Sequence, residues 1–221
     1  MRLYLSSYRV GERAGSLLAL LGGRRAVVIE NGMDGVSSRL RQSLRQDGYD
    51  IREELRALGI TPTLLDLRQY FGRPEGLRNA LAGYDLVWVG GGNAFVLRRA
   101  MRQSGFDDVI VDLLEADAIV YAGAGAGAAV TAPGLDGLNL MYDAQQIPEG
   151  YAALPAGEGL GLIDQVIVPH YRSPHPQSAA AERVVRHLGA RGLRHRALRD
   201  GEAIVWVENR RRQPEPERRI A

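Results

Sequence analysis

A buried strand that runs into a turn of small residues is the part of this sequence best suited to chemistry. Residues 120–124 are apolar or small, and the small residues continue to Val130, a pattern typical of a strand, a sharp turn and a helix. In a nucleophile elbow, a Ser or Cys occupies such a turn and projects its side chain toward the substrate. Gly125 occupies that position here. The sequence therefore predicts the framework of a hydrolase site without its reacting atom.

A second turn of small residues, Gly90-Gly91-Gly92-Asn93, follows the apolar run LVWV and precedes a helical pattern. Without side chains in the way, its backbone amides can face an anion, as in an oxyanion hole or a phosphate cradle. A tight turn with no ligand is the alternative, because glycine clusters often serve geometry alone. Asn93 favours a functional interpretation.

The first turn also matches the dinucleotide fingerprint G-x-G-x-x-A, with Asp143 about twenty residues further on. That fingerprint requires a strand, a helix and a second strand. Here the helix can extend only to about Ala132 before Pro133, and no clear strand precedes Asp143. Dinucleotide binding is therefore the weaker interpretation, and we predict no cofactor.

A histidine ends a further apolar strand, where an imidazole at a loop mouth could act as a general base. This residue is His170, although a plain surface histidine is the alternative. Carboxylates that could orient it are Asp136 and Asp143, which sequence order favours, and Glu158 and Asp164. The four histidines lack the spacing of metal ligands, so we predict no metal.

Composition narrows the classes of function. The 221 residues are 45% hydrophobic and 24% charged, and the net charge of +2 is too small to indicate a nucleic-acid partner. No apolar run approaches the ~18 residues of a membrane span, and the opening residues lack an export-signal pattern, so we expect a cytoplasmic protein with no membrane partner. The sequence contains neither Cys nor Lys, which excludes thiolate and Lys-amine nucleophiles.

Strand and helix patterns alternate along most of the chain. The predicted strands lie at 2–8, 26–30, 63–67, 86–89, 118–122, 165–168 and 203–207, and the predicted helices at 11–22, 37–58, 77–82, 94–104, 109–116 and 179–187. The alternation predicts a single-domain α/β fold with a mostly parallel sheet and helices on both faces. We expect residues 1–208 to form this domain, with loops at 132–159 over the active face and a charged, solvated tail at 209–221.

Five separated segments of the sequence together resemble one known protein family. They are LYLSSYRVG at 3–11, LLDLRQYFG at 64–72, GGGNAFVLRRAM at 90–101, YAGAGAGAAV at 121–130 and VPHY at 168–171. In this order they resemble the peptidase E family, also called aspartyl dipeptidases, whose fold is similar to the flavodoxin-like, three-layer class I glutamine amidotransferases. Where that family has Gly-Gly-Asn-Thr-Phe and G-x-S-A-G-A, this chain has Ala94 for the Thr and Gly125 for the Ser.

The resemblance implies a role for each matching residue. His170 becomes the general base, and Gly125 occupies the place of the nucleophile. The amide of Gly91 or Gly92, together with the amide of Ala126, becomes the oxyanion hole. Family members resemble serine exopeptidases that cleave short peptides, so the resemblance implies a short peptide as the ligand.

The resemblance also implies an orienting acid and substrate-binding residues. Asp136 is the expected acid, with Asp143 as the alternative. Asn93 is expected to contact the substrate. In the best-known case an Arg holds an N-terminal Asp of the peptide; Arg183 is the candidate here and Arg172 the second choice. The match around these arginines is loose, so a preference for Asp is left open.

Gly125 alters what the resemblance implies, because glycine has no oxygen with which to attack a carbonyl. We therefore expect the chain as written to be nearly inert as a peptidase. A substitution made in the laboratory, a natural pseudoenzyme, and a site with another nucleophile all remain open. Ser173 and Tyr171 are the weak candidates for such a nucleophile. A non-catalytic peptide sensor is the alternative function, and the chain could form a homodimer.

Overall fold

A six-stranded sheet lies at the centre of the structure, a computed structural model that describes residues 1–37 and 50–208. The strands in chain order are β1 (Arg2–Ser6), β2 (Arg25–Ile29), β3 (Thr61–Leu64), β4 (Leu86–Val89), β5 (Val120–Ala124), β6 (Val166–Val168), β7 (His195–Ala197) and β8 (Ala203–Val207). The large sheet has the order β3-β2-β4-β5-β1-β8. Its first five strands are parallel, and β8 is antiparallel to β1.

Seven helices connect the described strands. They are α1 (Ala14–Leu20), α2 (Ile51–Ala57), α3 (Pro74–Leu81), α4 (Ala94–Ser104), α5 (Phe106–Glu115), α6 (Ala126–Ala129) and α7 (Ser178–Ala190). Short 3₁₀ turns lie at Asn31–Met33, Leu67–Tyr70 and Leu138–Leu140. Of the predicted helix at 37–58, the described part forms α2, which Asp50 caps by accepting a hydrogen bond from the Arg52 amide. The rest of that prediction, like the predicted tail at 209–221, lies outside the described residues.

The strands separate two hydrophobic cores because successive side chains point to opposite faces of a sheet. On β1, Leu3 and Leu5 join one core and Tyr4 joins the other. On β4, Val89 lies in the first core and Trp88 in the second. Each such large side chain, when fully buried, contributes roughly 1.5–3 kcal/mol to folding. The predicted α/β fold, with a mostly parallel sheet covered on both faces, is confirmed.

A small second sheet departs from the sequence-based expectation. The predicted strand at 165–168 forms as β6, but it pairs in parallel with β7 rather than with the large sheet. His195, which lies outside every predicted strand and helix, is on β7. The pairing continues beyond the strands, where the Tyr171 amide donates to the Leu198 carbonyl at 2.9 Å. It therefore brings the residues after β6 next to those after β7.

The part of the chain from 132 to 159 has the predicted loop character. It contains one 3₁₀ turn and an isolated bridge between Gly134 and Glu158. The predicted strand at 63–67 lies earlier, at Thr61–Leu64, because Leu67 begins a 3₁₀ turn capped by Asp66. In residues 1–37 and 50–208, no helix is both long and apolar enough to cross a bilayer.

Candidate active site

The turn after β5 has the geometry of a nucleophile elbow. Gly125 lies between the strand and helix α6 with φ 58° and ψ −115°, a conformation that L residues adopt only under strain. Its amide donates to the Ser6 carbonyl at 3.1 Å, and its carbonyl accepts from the Ala128 and Ala129 amides. The turn is thus held on one side by β1 and on the other by the first turn of α6.

The three glycines of this turn differ in the space around them. A Cβ added to Gly123 would lie 2.3 Å from the Gly127 carbonyl oxygen, and one added to Gly127 would lie 2.1 Å from the Val89 carbonyl oxygen. A Cβ at Gly125 would meet only ordinary contacts, with Gly91 Cα and the Ser7 carbonyl at 3.6 Å and His170 Nε2 at 3.7 Å. Packing therefore requires glycine at two of the three positions and leaves room for a side chain at Gly125.

His170 faces this space from the loop after β6. The residue is only 5% exposed and has φ 63°, in the left-handed region that non-glycine residues seldom occupy. Its Nδ1 lies 2.8 Å from Asp200 Oδ1. Because a carboxylate only accepts hydrogen bonds, Nδ1 carries the proton of the neutral ring and Nε2 is left as an acceptor toward position 125.

Burial and a neighbouring imidazole favour the neutral form of His170. Burial lowers the pKa of His170 below its ordinary value, repulsion from His175 lowers it further, and the carboxylate of Asp200 acts in the opposite direction. A general base must be unprotonated at the working pH. The surroundings of His170 favour that state near neutrality.

Two serine hydroxyls hold Asp200 and His170 together. Ser7 Oγ accepts from the His170 amide at 2.8 Å and donates to Asp200 Oδ1 at 2.7 Å. Ser173 Oγ accepts from the Asp200 amide at 2.8 Å and donates to the Tyr171 carbonyl at 3.2 Å. Ser173, a weak candidate for another nucleophile, is thus engaged in positioning the acid.

The structure corrects the choice of orienting acid. Asp136, the expected residue, has a side chain 54% exposed and an oxygen 3.7 Å from Arg191 Nη1. Asp143, the alternative, accepts from the Gln145 amide at 2.9 Å in its own loop. The acid on His170 is instead Asp200, 30 positions further along the chain. Pairing of β6 with β7 brings it there, and the turn Asp200-Gly201 before the last strand was its only sequence signal.

The turn after β4 lies directly against the elbow. A Cβ on Gly92, which has φ 111°, would lie 2.4 Å from the Gly32 carbonyl carbon, so the approach of the 3₁₀ turn Asn31–Met33 requires glycine there. Gly91 instead borders the space at Gly125. Within residues 1–37 and 50–208, the amides of Gly91, Gly92 and Ala126 have no acceptor. None of the three predicted oxyanion donors is therefore engaged by the backbone of these residues.

Asn93 is tied into the structure more firmly than the sequence indicated. Its Oδ1 caps helix α4 by accepting from the Phe95 amide at 2.9 Å. Its Nδ2 donates to the Asp143 carbonyl at 2.7 Å and to Gln146 Oε1 at 2.9 Å. Asn93 thus positions the glycine turn and the loop at 143–146, and these bonds occupy the side chain that we expected to contact substrate.

Neither predicted arginine lines the cavity that opens in front of Gly125 and His170. Arg183 is exposed on α7, where its Nη2 donates to the Leu140 carbonyl at 3.3 Å. The Arg172 guanidinium lies 5.1 Å from the centre of the Tyr171 ring. The cavity is bordered instead by Arg9, which has φ 57° and whose guanidinium lies 5.3 Å from the centre of the Tyr8 ring.

A cavity of about 550 Å³ opens in front of the elbow. It is large enough for a short peptide, and its lining combines glycine backbone, apolar side chains and both signs of charge. The lining residues are Ser7, Tyr8, Arg9, Glu30, Met33, Val36, Ile51, Trp88, Gly90, Gly91, Gly92, Asn93, Ala124, Gly125, Met141, Tyr142, Asp143, Gln146, His170, His175 and Gln177. Across residues 1–37 and 50–208, no three His, Asp or Glu side chains are grouped to hold a metal ion.

Comparison with known proteins identifies the family. Residues 46–213, well over half of the chain, match the model of peptidase family S51. The chain belongs to peptidase family S51. The resemblance to peptidase E is thereby confirmed at the level of the family.

Two curated relatives of this S51 member have names that describe an activity. A Streptomyces coelicolor protein named peptidase E is 36% identical over 94 residues, which cover 42% of this chain and 35% of the relative. A Drosophila melanogaster protein named "Probable alpha-aspartyl dipeptidase" is 31% identical over 137 residues, which cover 60% of this chain and 52% of the relative. The chain thus spans about half the length of the curated relatives that it matches.

Two solved structures support the fold of this S51 member. A candidate peptidase E protein from Listeria monocytogenes EGD-e superposes with a TM-score of 0.74 at 21% identity, covering 93% of each chain. A peptidase from an acI-B1 Actinobacterium superposes with a TM-score of 0.63 at 15% identity, covering 93% of this chain and 82% of that one. At these identities the likeness describes the shared architecture of sheet and helices.

Proposed function

We propose that this S51 member has the binding site and the acid–base machinery of a serine peptidase for short peptides, and that Gly125 leaves it nearly inactive. One observation carries the proposal. A Cβ at position 125 would lie 3.7 Å from His170 Nε2, and the opposite nitrogen of that ring is 2.8 Å from Asp200 Oδ1. A hydroxyl on that Cβ would be within hydrogen-bonding reach of the base.

The mechanism with a serine at position 125 follows from this geometry. The hydroxyl oxygen bonds to the peptide carbonyl carbon while its proton moves to His170 Nε2, and Asp200 stabilises the imidazolium. The carbonyl oxygen takes the negative charge and accepts from the amides of Ala126 and of Gly91 or Gly92. His170 then protonates the leaving amine, and water, deprotonated by His170, hydrolyses the acyl group and releases the serine.

With glycine at position 125, the covalent route is closed. In a serine protease, loss of the nucleophile lowers kcat by about 10⁶, and the oxyanion hole and binding retain ~10³ to 10⁴ of acceleration over water. The cavity and its charged groups do not depend on the missing hydroxyl. Peptide binding can therefore persist in this chain while turnover does not.

The test is the Gly125→Ser variant, assayed with the parent against a panel of dipeptides that includes Asp-initial and apolar members. We expect kcat/KM for at least one dipeptide to rise by about 10³ or more over the parent. A correctly folded variant with no hydrolysis above the parent on the whole panel would contradict the proposal. The panel also determines whether an N-terminal Asp is preferred.

A peptide sensor is the second candidate function, and Gly125 itself favours it. A chain that has the cavity but no nucleophile can hold a peptide without consuming it. Calorimetric titration of the parent with the same dipeptides measures this directly. Saturable binding without turnover, retained when His170 is replaced by Asn, would support the sensor.

A cytoplasmic location remains a prediction from the sequence.

A further inference from the structure

A second imidazole lies face to face with the base. The rings of His170 and His175 are stacked, with centroids 3.6 Å apart and planes inclined by 8°. The Tyr8 ring packs against both, at 5.9 Å from His170 and 5.7 Å from His175. The mechanism above gives His175 no part, yet this residue lines the cavity and covers one face of the base.

The loop holds the His175 ring in place through its backbone. His175 Nδ1 accepts from the Gln177 amide at 3.2 Å. The His175 amide donates to the Ser173 carbonyl at 2.8 Å, and the His175 carbonyl accepts from the Ser178 amide at 2.9 Å. Pro174 and Pro176 flank the residue and restrict the backbone on both sides. The orientation of this ring is therefore fixed from within the loop.

The hydrogen bond from Gln177 also fixes the state of the ring. A backbone amide can only donate, so His175 Nδ1 carries no proton and the neutral ring carries its proton on Nε2. Protonation at Nδ1 would break that bond and set two N–H groups against each other. Protonation of His170, in contrast, is stabilised by Asp200. In the stacked pair, a proton that arrives during catalysis is therefore best held by His170.

We propose that His175 is a positioning residue: its neutral, stacked ring fixes the plane of His170 so that Nε2 stays directed at position 125. This inference rests on the proposed function for its meaning in catalysis, and the arrangement of the two rings can be tested without it. The ring of His170 is then fixed on three sides, by Asp200 at Nδ1, by His175 on one face and by Tyr8.

The electrostatic surroundings give the inference a measurable signature. The titratable groups in contact with the His170 ring are Asp200, His175 and Tyr8, while Arg9, Glu30 and Asp143 line the same cavity. Burial and His175 both lower the pKa of His170. Replacing His175 by Phe removes the positive charge that this ring carries once it is protonated during the titration but keeps an aromatic ring, and replacing it by Ala also exposes the base to water. The pKa of His170 should therefore rise in both variants, and more in the Ala variant.

The first experiment measures the pKa of His170 by NMR titration of the imidazole nitrogens in the parent, His175→Phe and His175→Ala. His195→Phe is the matched control, because His195 lies on β7 outside the cavity. We expect the pKa to increase from the parent to the Phe variant to the Ala variant and to stay unchanged in the control. An unchanged pKa in both His175 variants would overturn the inference. If His175→Ala does not fold, the comparison of His175→Phe with the parent decides.

The second experiment repeats the His175 substitutions in the Gly125→Ser variant. A misplaced base slows the chemical step, so we expect His175→Ala to lower kcat by about 10- to 100-fold with a smaller change in KM, and His175→Phe to retain more of the rate. Equal rates with and without His175 would contradict a positioning role. An inactive Gly125→Ser variant whose His170 pKa still shifts would reject the proposed peptidase instead and leave the ring arrangement standing.

Discussion

The two glycine-rich turns of the site look alike in the sequence and differ in what requires their glycines. In the turn after β4, a side chain at Gly92 would collide with the backbone of Gly32 at 2.4 Å. In the turn after β5, a Cβ added to Gly125 would lie 3.6 Å or more from the described residues other than its two chain neighbours. The first glycine is a packing requirement. The second occupies a position where a side chain fits and where the side chain would face a base.

The same contrast holds within the elbow. Gly127 admits no side chain because the Val89 carbonyl oxygen would lie 2.1 Å from its Cβ, whereas two residues earlier Gly125 admits one. Since a Cβ at Gly125 meets ordinary contacts, the cost of adding it is the backbone strain at φ 58°. Strain of this kind is common at functional sites, where the surrounding structure maintains it. The contrast separates glycines that maintain the fold from the glycine that determines the chemistry.

The largest expected effect comes from placing the same residue at both positions of the elbow. Gly127→Ser should lower the free energy of unfolding by more than about 4 kcal/mol or yield no folded protein, because β4 must move to admit the side chain. Gly125→Ser should cost only about 1–3 kcal/mol, the usual cost of a strained backbone. Urea denaturation followed by circular dichroism measures both. Equal stability of the two variants would remove the basis of the comparison.

A large effect on kcat is expected when Asp200, the carboxylate that accepts from His170 Nδ1, is replaced. In the Gly125→Ser variant, Asp200→Asn should lower kcat by about 10³- to 10⁴-fold, because the imidazole loses the group that sets its tautomer. Asp136→Asn is the matched control, since its side chain is exposed and pairs with Arg191, and it should change kcat less than twofold. Steady-state kinetics on a cleaved dipeptide distinguish the two. If Asp136→Asn lowered kcat more than Asp200→Asn does, Asp136 would be the orienting acid, as the sequence predicted.

A smaller effect concerns pH. His170 must be neutral to act as a base, and its pKa is lowered by burial and by His175. The kcat/KM of the Gly125→Ser variant should therefore fall as the pH decreases, with the half-maximal point below the ordinary histidine value of about 6.5. At pH 6.5 more than half of the plateau rate should remain. A half-maximal point above 6.5 would show that the carboxylate of Asp200 outweighs burial.

The sequence predicted the elements whose signals are local. The buried strands at β4 and β5 and the turns that follow them are apolar runs ending in glycine, so both turns could be placed without a structure. His170 was predicted for the same reason, since it ends an apolar strand. The two glycine turns meet because β4 and β5 are parallel neighbours whose carboxyl ends lie at one edge of the large sheet, whereas His170 reaches them from the small sheet.

The rest of the site depends on contacts between distant parts of the chain. Asp200 reaches His170 through the pairing of β6 with β7, which no periodicity in the sequence indicated. Ser7, which joins the two, comes from the other end of the chain, 163 positions from His170. Arg183 and Arg172 were chosen from a loose match and do not line the cavity. Arg9, itself a left-handed loop residue after β1, does line it.

The central claim is that position 125 is the place of the nucleophile, directly in front of His170. Covalent labelling tests this claim without knowledge of the peptide. A fluorophosphonate reagent forms an oxygen–phosphorus bond with an activated serine hydroxyl and releases fluoride, while the base accepts the proton. Intact-mass spectrometry counts the adducts, and peptide mapping locates them.

The parent, Gly125→Ser, and Gly125→Ser combined with His170→Asn are treated in parallel. We predict one adduct per chain in Gly125→Ser, located at position 125, and no adduct in the parent or in the double variant. A folded Gly125→Ser variant that stays unlabelled, or labelling at position 125 that persists without His170, would contradict the account.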